Sequence, residues 1–399
     1  MLLVLLIPLL KESEKMPEVQ DIFLKYGAEY RRKHKLPVHI LKTVSAIENC
    51  RTSTLGGHMD ICKECGSTRI SYNSCRNRHC PKCQTLAKER WIDNQQSNLL
   101  NVGYFHVVFT IPDTLNSIVF QNQKEVYNIL FKSVAETLAE LALDKKYLGA
   151  TLGFTSILHT WGQNLMHHPH IHCVVPSGGL NSLGKWVNSR KKFFLPVKVL
   201  SRKFRGKFLH YLKQAKLEFH GQQKYLSNPV NFNRFLTPLY QKEWVVYCKP
   251  PFKNASSVIE YLGRYTHRVA ISNKRILSFE NGQVSFKWRD YKDNSRWKVM
   301  TLSADEFIRR FLIHVLPPRF MKIRHYGLLG NRNKTTKLKV CKELTHTPII
   351  AREKLSTLEL IQKITGKDVS KCPCCGSDKL SRYIDIGKSP PIFKNAASV

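Results

Sequence analysis

Six cysteines lie between residues 50 and 83, and their spacing limits what this part of the chain can fold into. Two CxxC pairs, Cys62/Cys65 and Cys80/Cys83, each place two thiolates on one tight turn, and each pair needs two more ligands for a tetrahedral zinc site. Clustered thiols of this kind favour metal binding in a reducing compartment over disulfides. The donors available for two zinc ions are Cys50, His58, Cys62, Cys65, Cys75, His79, Cys80 and Cys83.

A further cysteine pair lies near the C-terminus, in the sequence KCPCCGSDK. Cys372 and Cys375 have CxxC spacing, but no second pair lies near them in the sequence. Because a structural zinc ion needs four ligands, we expect no complete zinc site here.

The charge balance indicates a polyanionic partner. The chain has 64 Lys and Arg against 29 Asp and Glu, a formal charge of +35 and a pI near 9.9. Such an excess favours nucleic acid as the partner. The segment 319–342 carries eight Lys or Arg and no acid, which is typical of a nucleic-acid contact surface. We predict that Arg324 and Arg332 belong to this surface.

A membrane is the competing partner for so basic a chain. The strongly apolar run MLLVLLIPLL at the start is too short to span a bilayer and contains Pro8. It also lacks the basic leader and the cleavage site of a secretory signal. We interpret residues 1–16 as an extension outside the fold, with the working protein beginning near Met16, and we predict no membrane partner.

Between the two ends, strand patterns alternate with helical patterns. The stretches YFHVVFTIP (104–112) and LGFTSILHTWG (152–162) are strand-like, as is IHCVV, and a long helical pattern from Ser117 to Leu143 separates the first two. A later hairpin is predicted in RILSFENGQVSFKWRDY, where Asn281 and Gly282 favour a type I′ turn. This order predicts an α/β (α+β) unit with an antiparallel sheet.

The stretch LMHHPHIHCVVPSGG, residues 165–179, places histidines at alternate positions before a β-branched run. On a strand, His170 and His172 project from the same face and can donate nitrogens to one metal ion. The alternative is a set of core histidines that bond only to backbone groups.

A third metal ligand depends on how the chain turns before these histidines. If residues 164–167 form the turn of a hairpin, His159 lies opposite His172 and Gln163 lies opposite His168, which brings a third donor to the same face. Such a site keeps open positions for water and phosphate oxygens, as a Mg²⁺ or Mn²⁺ phosphoryl-transfer site requires. Imidazole also suits zinc, so the ligands alone leave the metal open.

The stretch SSVIEYLGRYTHRVAISN, residues 256–273, offers a nucleophile. Ser257 and Glu260 predict a capping box that starts a helix, on which Tyr261 and Tyr265 share a face. The alternative is an amphipathic helix that uses its tyrosines for packing. The neighbouring groups able to hold phosphate and stabilise a phenolate leaving group are Arg264, His267 and Arg268.

Together these motifs resemble a known family. HPHIH followed by YLGRYTHRVAISN, with NSCRNRHCPKC upstream, is similar to the two-tyrosine HUH transposases of bacterial insertion sequences, the insertion sequence ninety-one family and its common-region relatives. The resemblance extends from about Pro17 to Lys339 and includes YFHVVFTIP, HTWGQNL, FRGKFL, VMTLSADEFIRRFLIHVLP and IRHYGLL.

The resemblance implies an antiparallel HUH nuclease palm with a divalent metal between His170 and His172 and with Tyr261 and Tyr265 as nucleophiles. Some relatives keep one tyrosine, whereas this sequence has both. In the wider superfamily the third metal ligand varies, which leaves Gln163 against His159 open. The implied domains are a zinc-binding domain, a nuclease domain and a basic C-terminal region with a possible zinc knuckle, at residues 17–100, 101–318 and 319–399.

The implied reaction is cleavage of single-stranded DNA through a 5′-phosphotyrosine, with rejoining that needs no nucleotide cofactor. It suits rolling-circle transposition in the bacterial cytoplasm, at the nucleoid. One alternative is a plasmid relaxase or replication initiator with the same chemistry. Another is a zinc-dependent DNA-binding regulator without catalysis, although this alternative gives no reason for the paired tyrosines.

Overall fold

A computed structural model describes residues 16–190, 195–252, 257, 258, 261, 263, 267, 269–348 and 354–388. The helices are α1 (Val19–Lys33), α2 (Val38–Glu48), α3 (Pro81–Gln96), α4 (Asn116–Gln121), α5 (Gln123–Leu143), α6 (Val197–Gln214), α7 (Pro229–Gln241), α8 (Ala304–Leu312), α9 (Lys337–Leu344) and α10 (Thr357–Thr365).

The strands are β1 (Gly57–Cys62), β2 (Thr68–Tyr72), β3 (Tyr104–Thr110), β4 (Gly153–Trp161), β5 (His167–Pro176), β6 (Gly178–Leu180), β7 (Trp186–Asn188), β8 (Val246–Phe252), β9 (Ile276–Ser278), β10 (Gln283–Asp290), β11 (Arg296–Ser303), β12 (Ile323–Gly327) and β13 (Leu380–Ile386). Helices and antiparallel sheets share the fold, which confirms the predicted α+β class.

A five-stranded sheet in the order β12, β4, β5, β3, β8 forms the centre, and every neighbouring pair is antiparallel. Helices α5, α6 and α7 cover one face of this sheet with a large apolar core, in which Phe109 packs edge-on against Phe204 of α6 at 5.1 Å. Successive side chains of a strand point to opposite faces. The core therefore takes every second residue of β3, β4 and β5, and the residues between them face the other way.

The predicted strands at 104–112 and 152–162 are confirmed as β3 and β4. The single helix predicted from Ser117 to Leu143 is instead two helices, α4 and α5. They are divided at Asn122, which leaves helical geometry at φ −124° and ψ 41°. Its side-chain amide donates to the carbonyls of Ile118 and Glu218 and accepts from the Glu218 N–H. These bonds to a distant loop compete with the helical ladder and explain the break.

The predicted hairpin is confirmed in a second sheet, of order β11, β10, β9. Asn281 and Gly282 both have positive φ, 50° and 72°, as a type I′ turn requires. Helices α1 and α2 pack against this sheet and against α8, where Phe23 meets Phe311 edge-on at 5.4 Å. The N-terminal helices are thus part of the body of the protein.

A third sheet, of order β13, β1, β2, joins the two ends of the chain. Strand β13 pairs antiparallel with β1 from Gly57 to Cys62. Helix α10 lies against α3, where Lys363 forms an ion pair with Glu89 and Arg90 donates to Thr357. The segments predicted as a zinc-binding domain and a C-terminal region are therefore in contact through paired strands and packed helices. Within the described residues, no helix is both long and apolar enough to cross a bilayer.

Burial of His314 should make the fold sensitive to acid. Its ring is 3% exposed, with Nε2 3.0 Å from the Leu165 carbonyl, and burial lowers its pKa to about 3. The unfolded chain binds a proton at His314 that the folded chain excludes. The free energy of unfolding is therefore highest above pH 6.5 and decreases as the pH falls towards 3. Between pH 7 and 5 the loss is about 2 kcal/mol.

We expect His314→Gln to lose less free energy of unfolding than the wild type between pH 7 and 5, as measured by urea denaturation at both pH values. His210, an exposed residue, provides the control His210→Gln, which should keep the wild-type pH dependence. Equal pH dependence in His314→Gln and the wild type would contradict the assignment.

Candidate metal and nucleophile site

Four histidines converge on the face of the central sheet opposite α5, α6 and α7. The apolar neighbours Val107, Leu158, Ile171 and Cys173 lie in the core below α5 and α6. The strand residues between them therefore point to the opposite face. These residues are His106 on β3, His159 on β4, and His170 and His172 on β5.

The register between β4 and β5 decides which histidines are neighbours. His159 lies opposite His170 and Trp161 lies opposite His167, with a register irregularity between the two pairs. The connecting loop is 162–166, closed by a bond from the Gly162 N–H to the Met166 carbonyl at 3.0 Å. The predicted turn at 164–167, with His159 opposite His172, is therefore wrong by two residues. A two-residue shift keeps every side chain on its face, so the predicted grouping survives.

The ring nitrogens of His159, His170 and His172 lie within 4.8 Å of one another and could hold one metal ion. The Nε2 atoms of His170 and His172 are 3.0 Å apart. The Nδ1 atom of His170 is 2.6 Å from the carbonyl of His168, to which an N–H must donate, so its Nε2 presents a lone pair to the cluster. This lone pair and the neighbouring ring nitrogens of His159 and His172 fit a metal ion.

Gln163, the other predicted third ligand, lies elsewhere. Its side-chain amide donates to the Tyr291 hydroxyl at 3.2 Å, in the loop beyond β4. Of the two alternatives, the structure groups His159 with His170 and His172.

The hydroxyl of Tyr261 is linked to this cluster through one further histidine, His106. Tyr261 is helical, and its Oη is 3.0 Å from Nδ1 of His106. The other nitrogen of His106, Nε2, is 2.8 Å from Nδ1 of His172. An unbroken hydrogen-bonded path therefore runs from the tyrosine hydroxyl to the histidine cluster. Burial, together with repulsion from Lys249 and His170, lowers the pKa of His106 to about 3, so this ring is neutral at pH 7.

Sequence reasoning missed His106, although a signal was present. In YFHVVFTIP it interrupts an otherwise apolar strand, and its parity places it opposite the buried Phe105 and Val107. A histidine facing away from the core on a central strand is a candidate site residue.

The helical residues around Tyr261 lie directly against α3. A Cβ added at Gly263 would overlap the Ile92 side chain, so glycine lets the two elements approach this closely. Val258 is fully buried beside Tyr104. Helix α3 thus positions the tyrosine. Other predicted residues lie outside the described part of the chain: Glu260, Arg264, Tyr265 and Arg268.

Two residues predicted to contact DNA have other environments. His267 lies beside Trp91 of α3, and burial, with Lys322 and Lys88 adding repulsion, lowers its pKa to about 4, so it carries no charge at neutral pH. The Arg324 guanidinium lies 4.1 Å from the Phe131 ring centroid and donates to Asn128, on the helix-covered face.

Arg332, in contrast, is exposed near the end of β12. The contact of Arg332 with DNA therefore stays a prediction.

The cysteines form two groups of four, and these differ from the set of eight donors predicted within residues 50–83. The first group is Cys50, Cys75, Cys80 and Cys83, and the second is Cys62, Cys65, Cys372 and Cys375. In the first group Sγ of Cys83 is 3.6 Å from Sγ of both Cys50 and Cys75. The expectation that Cys372 and Cys375 lack partners is wrong, because the partner pair comes from the other end of the chain.

Neither predicted histidine joins a cysteine group. His58 lies on β1 with Nε2 3.6 Å from Asp60. His79 accepts a hydrogen bond from the Leu316 N–H at 3.3 Å, and burial holds its pKa well below the usual range. The C-terminal cysteines occupy the positions that these histidines were expected to fill.

Comparisons with known proteins agree with this architecture. Residues 22–111 match the family described as "Transposase zinc-binding domain", and residues 153–337 match the family described as "Putative transposase". The chain is 48% identical over 369 residues to "Putative transposase y4qJ" of Sinorhizobium fredii, covering 90% of this chain and 93% of that protein. It is 28% identical over 344 residues to "Transposase for insertion sequence element IS801" of Pseudomonas savastanoi pv. phaseolicola, covering 84% and 82%. No solved structure matches.

These matches define the class as a transposase with a zinc-binding domain, an enzyme that cleaves and transfers DNA strands. The chain belongs to the transposases of the IS91 type, the family of the IS801 protein. DNA is therefore its substrate, and the cysteine groups support structural zinc.

The contact between Gly263 and α3 can be tested through stability. Gly263→Ala should lower the unfolding free energy because its methyl overlaps Ile92, although alanine is the better helix former by about 1 kcal/mol. Ile92→Ala removes the overlapping atoms. In urea denaturation, we expect the double variant to lose less unfolding free energy than the two single variants lose in total, by about 1 kcal/mol or more.

Gly206 of α6 is the matched control, because a Cβ there meets no atom within 4 Å. Gly206→Ala should raise stability by about 0.5–1 kcal/mol and show no coupling to Ile92→Ala. Additive effects of the Gly263 and Ile92 substitutions would show that the two elements do not touch.

Proposed function

We propose that this transposase cleaves and rejoins single-stranded DNA at the ends of its insertion sequence through a 5′-phosphotyrosine, and so drives rolling-circle transposition. The observation that carries the proposal is the path from the Tyr261 hydroxyl through His106 to the histidine cluster, with separations of 3.0 and 2.8 Å. A nucleophile and a metal-binding group on one sheet face are what phosphoryl transfer requires.

His159, His170 and His172 would hold the divalent metal. Bound there, the ion would orient and polarise the scissile phosphate. Three imidazole nitrogens are a softer donor set than Mg²⁺ prefers, so of the two metals expected from the sequence we favour Mn²⁺.

In the cleavage step, Oη of Tyr261 attacks the phosphorus. The new P–Oη bond forms as the bond from phosphorus to the 3′ oxygen breaks. The phenol loses a proton to solvent and the departing 3′ oxygen gains one, so a free 3′-OH and a 5′-phosphotyrosine result. Attack by a 3′-OH on the phosphotyrosine reverses these bonds and rejoins a strand, without a nucleotide cofactor. His106 positions the phenol for both steps.

Tyr265 is the proposed second nucleophile, four residues after Tyr261 on the predicted helix. With two tyrosines, one strand end can stay attached while another strand is cut. Of the basic residues, we retain Arg264, Arg268 and Arg332 as proposed DNA contacts. Cys50, Cys75, Cys80 and Cys83 are the proposed ligands of a structural zinc at the start of α3.

The third metal ligand can be tested by comparing substitutions of His159 and Gln163. We expect His159→Ala to raise the dissociation constant for Mn²⁺, measured by electron paramagnetic resonance of free Mn²⁺, by roughly tenfold or more, and to abolish nicking. Gln163→Ala should leave both within about twofold, because its side chain points to Tyr291. His170→Ala and His172→Ala should behave as His159→Ala does, with DNA binding retained. The reverse result for His159 and Gln163 would make Gln163 the third ligand.

The nucleophile can be tested by trapping the adduct. With a labelled single-stranded element end and Mn²⁺, Tyr261→Phe should reduce the adduct formed in a single turnover roughly a hundredfold or more, because only the attacking oxygen is lost. Tyr225, which is 54% exposed on a distant turn, provides the control Tyr225→Phe, which should cleave normally. Mass spectrometry identifies the modified tyrosine. A normal adduct in Tyr261→Phe, carried by Tyr265, would make Tyr265 the catalyst.

A further inference from the structure

The second cysteine group draws its members from both ends of the chain. Cys62 is the last residue of β1 and Cys65 follows it, and Cys372 and Cys375 precede β13. The Sγ atoms of Cys62 and Cys375 are 3.6 Å apart, and those of Cys65 and Cys372 are 3.7 Å apart. We propose that these four cysteines bind a second structural zinc ion, which fastens the C-terminal segment to the N-terminal zinc-binding domain.

The sulfur separations match the size of such a site. A tetrahedral zinc ion with Zn–S bonds of about 2.3 Å spaces its ligand sulfurs about 3.8 Å apart. A disulfide would need about 2.05 Å, and all four cysteines are free thiols. The spacing is therefore that of four thiolates around one ion.

Each cysteine pair, Cys62/Cys65 and Cys372/Cys375, is one half-site of the proposed zinc site, and the two half-sites have the same local structure. One reads CKECGS from Cys62 and the other reads CPCCGS from Cys372. In each, the glycine N–H donates to the carbonyl of the first cysteine at 2.9 Å, with Gly66 and Gly376 at positive φ, 70° and 75°. In each, the N–H of the first cysteine donates to the carbonyl of the following serine, at 2.9 and 2.8 Å. Two identical turns that present two thiolates each are the two halves of a four-cysteine zinc site.

Hydrogen bonds and an ion pair between neighbouring residues also connect the two half-sites. The Lys63 N–H donates to the Lys379 carbonyl at 3.0 Å, and Lys379 also forms an ion pair with Glu64. Arg69 of β2 donates to the Val369 carbonyl at 2.9 Å. The chain therefore brings the two turns together through backbone and side-chain bonds as well as through the cysteines.

This site cannot form until residue 375 has been made. Its two halves are separated by most of the chain, so closing them costs more loop entropy than closing the first group, which lies within residues 50–83. A zinc ion offsets that cost, and it keeps β13 on β1 and α10 on α3. A chain that ends before Cys372 would bind one zinc ion instead of two.

The test is zinc stoichiometry of the full-length protein by elemental analysis. We expect two zinc ions per chain in the wild type and one in the double variant Cys372→Ser/Cys375→Ser. Cys374 belongs to neither cysteine group, so Cys374→Ser is the matched control and should keep two. Cys75→Ser should lose the other ion. One zinc ion in the wild type, or two in the double variant, would overturn the proposal.

A second measurement uses the wild type and so does not depend on the folding of a variant. In native protein, Cys372 and Cys375 should resist alkylation by iodoacetamide, and treatment with a chelator should expose them, as mass spectrometry of the digested protein will show. Exposed Cys374 should react in both states. Rapid alkylation of Cys375 before the chelator is added would overturn the proposal. Neither measurement involves DNA cleavage, so failure here leaves the proposed reaction untouched.

Discussion

The antiparallel pairing of β4 with β5 is the constraint on which the candidate site depends. It places His159 opposite His170, and the pleat turns both rings to the face opposite α5, α6 and α7. Packing on the other face of the sheet stabilises the same pairing, because Leu158 and Ile171 are buried in the helix-covered core. A slip of one residue would exchange the two faces and bury the histidines among phenylalanines. The apolar core and the metal-binding group therefore specify the same register.

Helix α3 connects the site to the rest of the molecule. It begins at Pro81, directly after Cys80 of the first cysteine group, and near its other end Ile92 lies against Gly263 beside the tyrosine. Helix α10 packs along it through Lys363 and Glu89. The first cysteine group and the proposed nucleophile thus lie against the same helix. Through α3, the zinc-binding domain of this chain therefore sets the position of the proposed nucleophile.

The strands, the hairpin turn and the spacing of donors were predictable from the sequence, because each is a property of a few consecutive residues. Alternation placed His170 and His172 on one face, and Asn281 and Gly282 specified their turn. Even the incorrect hairpin register kept His159 on the right face, since an error of two residues is one full period of a strand. The break at Asn122 was not predictable, because its bonding partner is Glu218.

The sequence by itself determined which side chains are available: imidazoles at alternate positions, thiolates in pairs and a tyrosine on a helix. The tertiary structure decided which of them meet. It joined Cys62 to Cys375, set His106 between Tyr261 and His172, and turned Arg324 towards the core. The physical reason is that local geometry follows from backbone periodicity. Contacts between distant residues depend on the packing of whole elements, which no short pattern records.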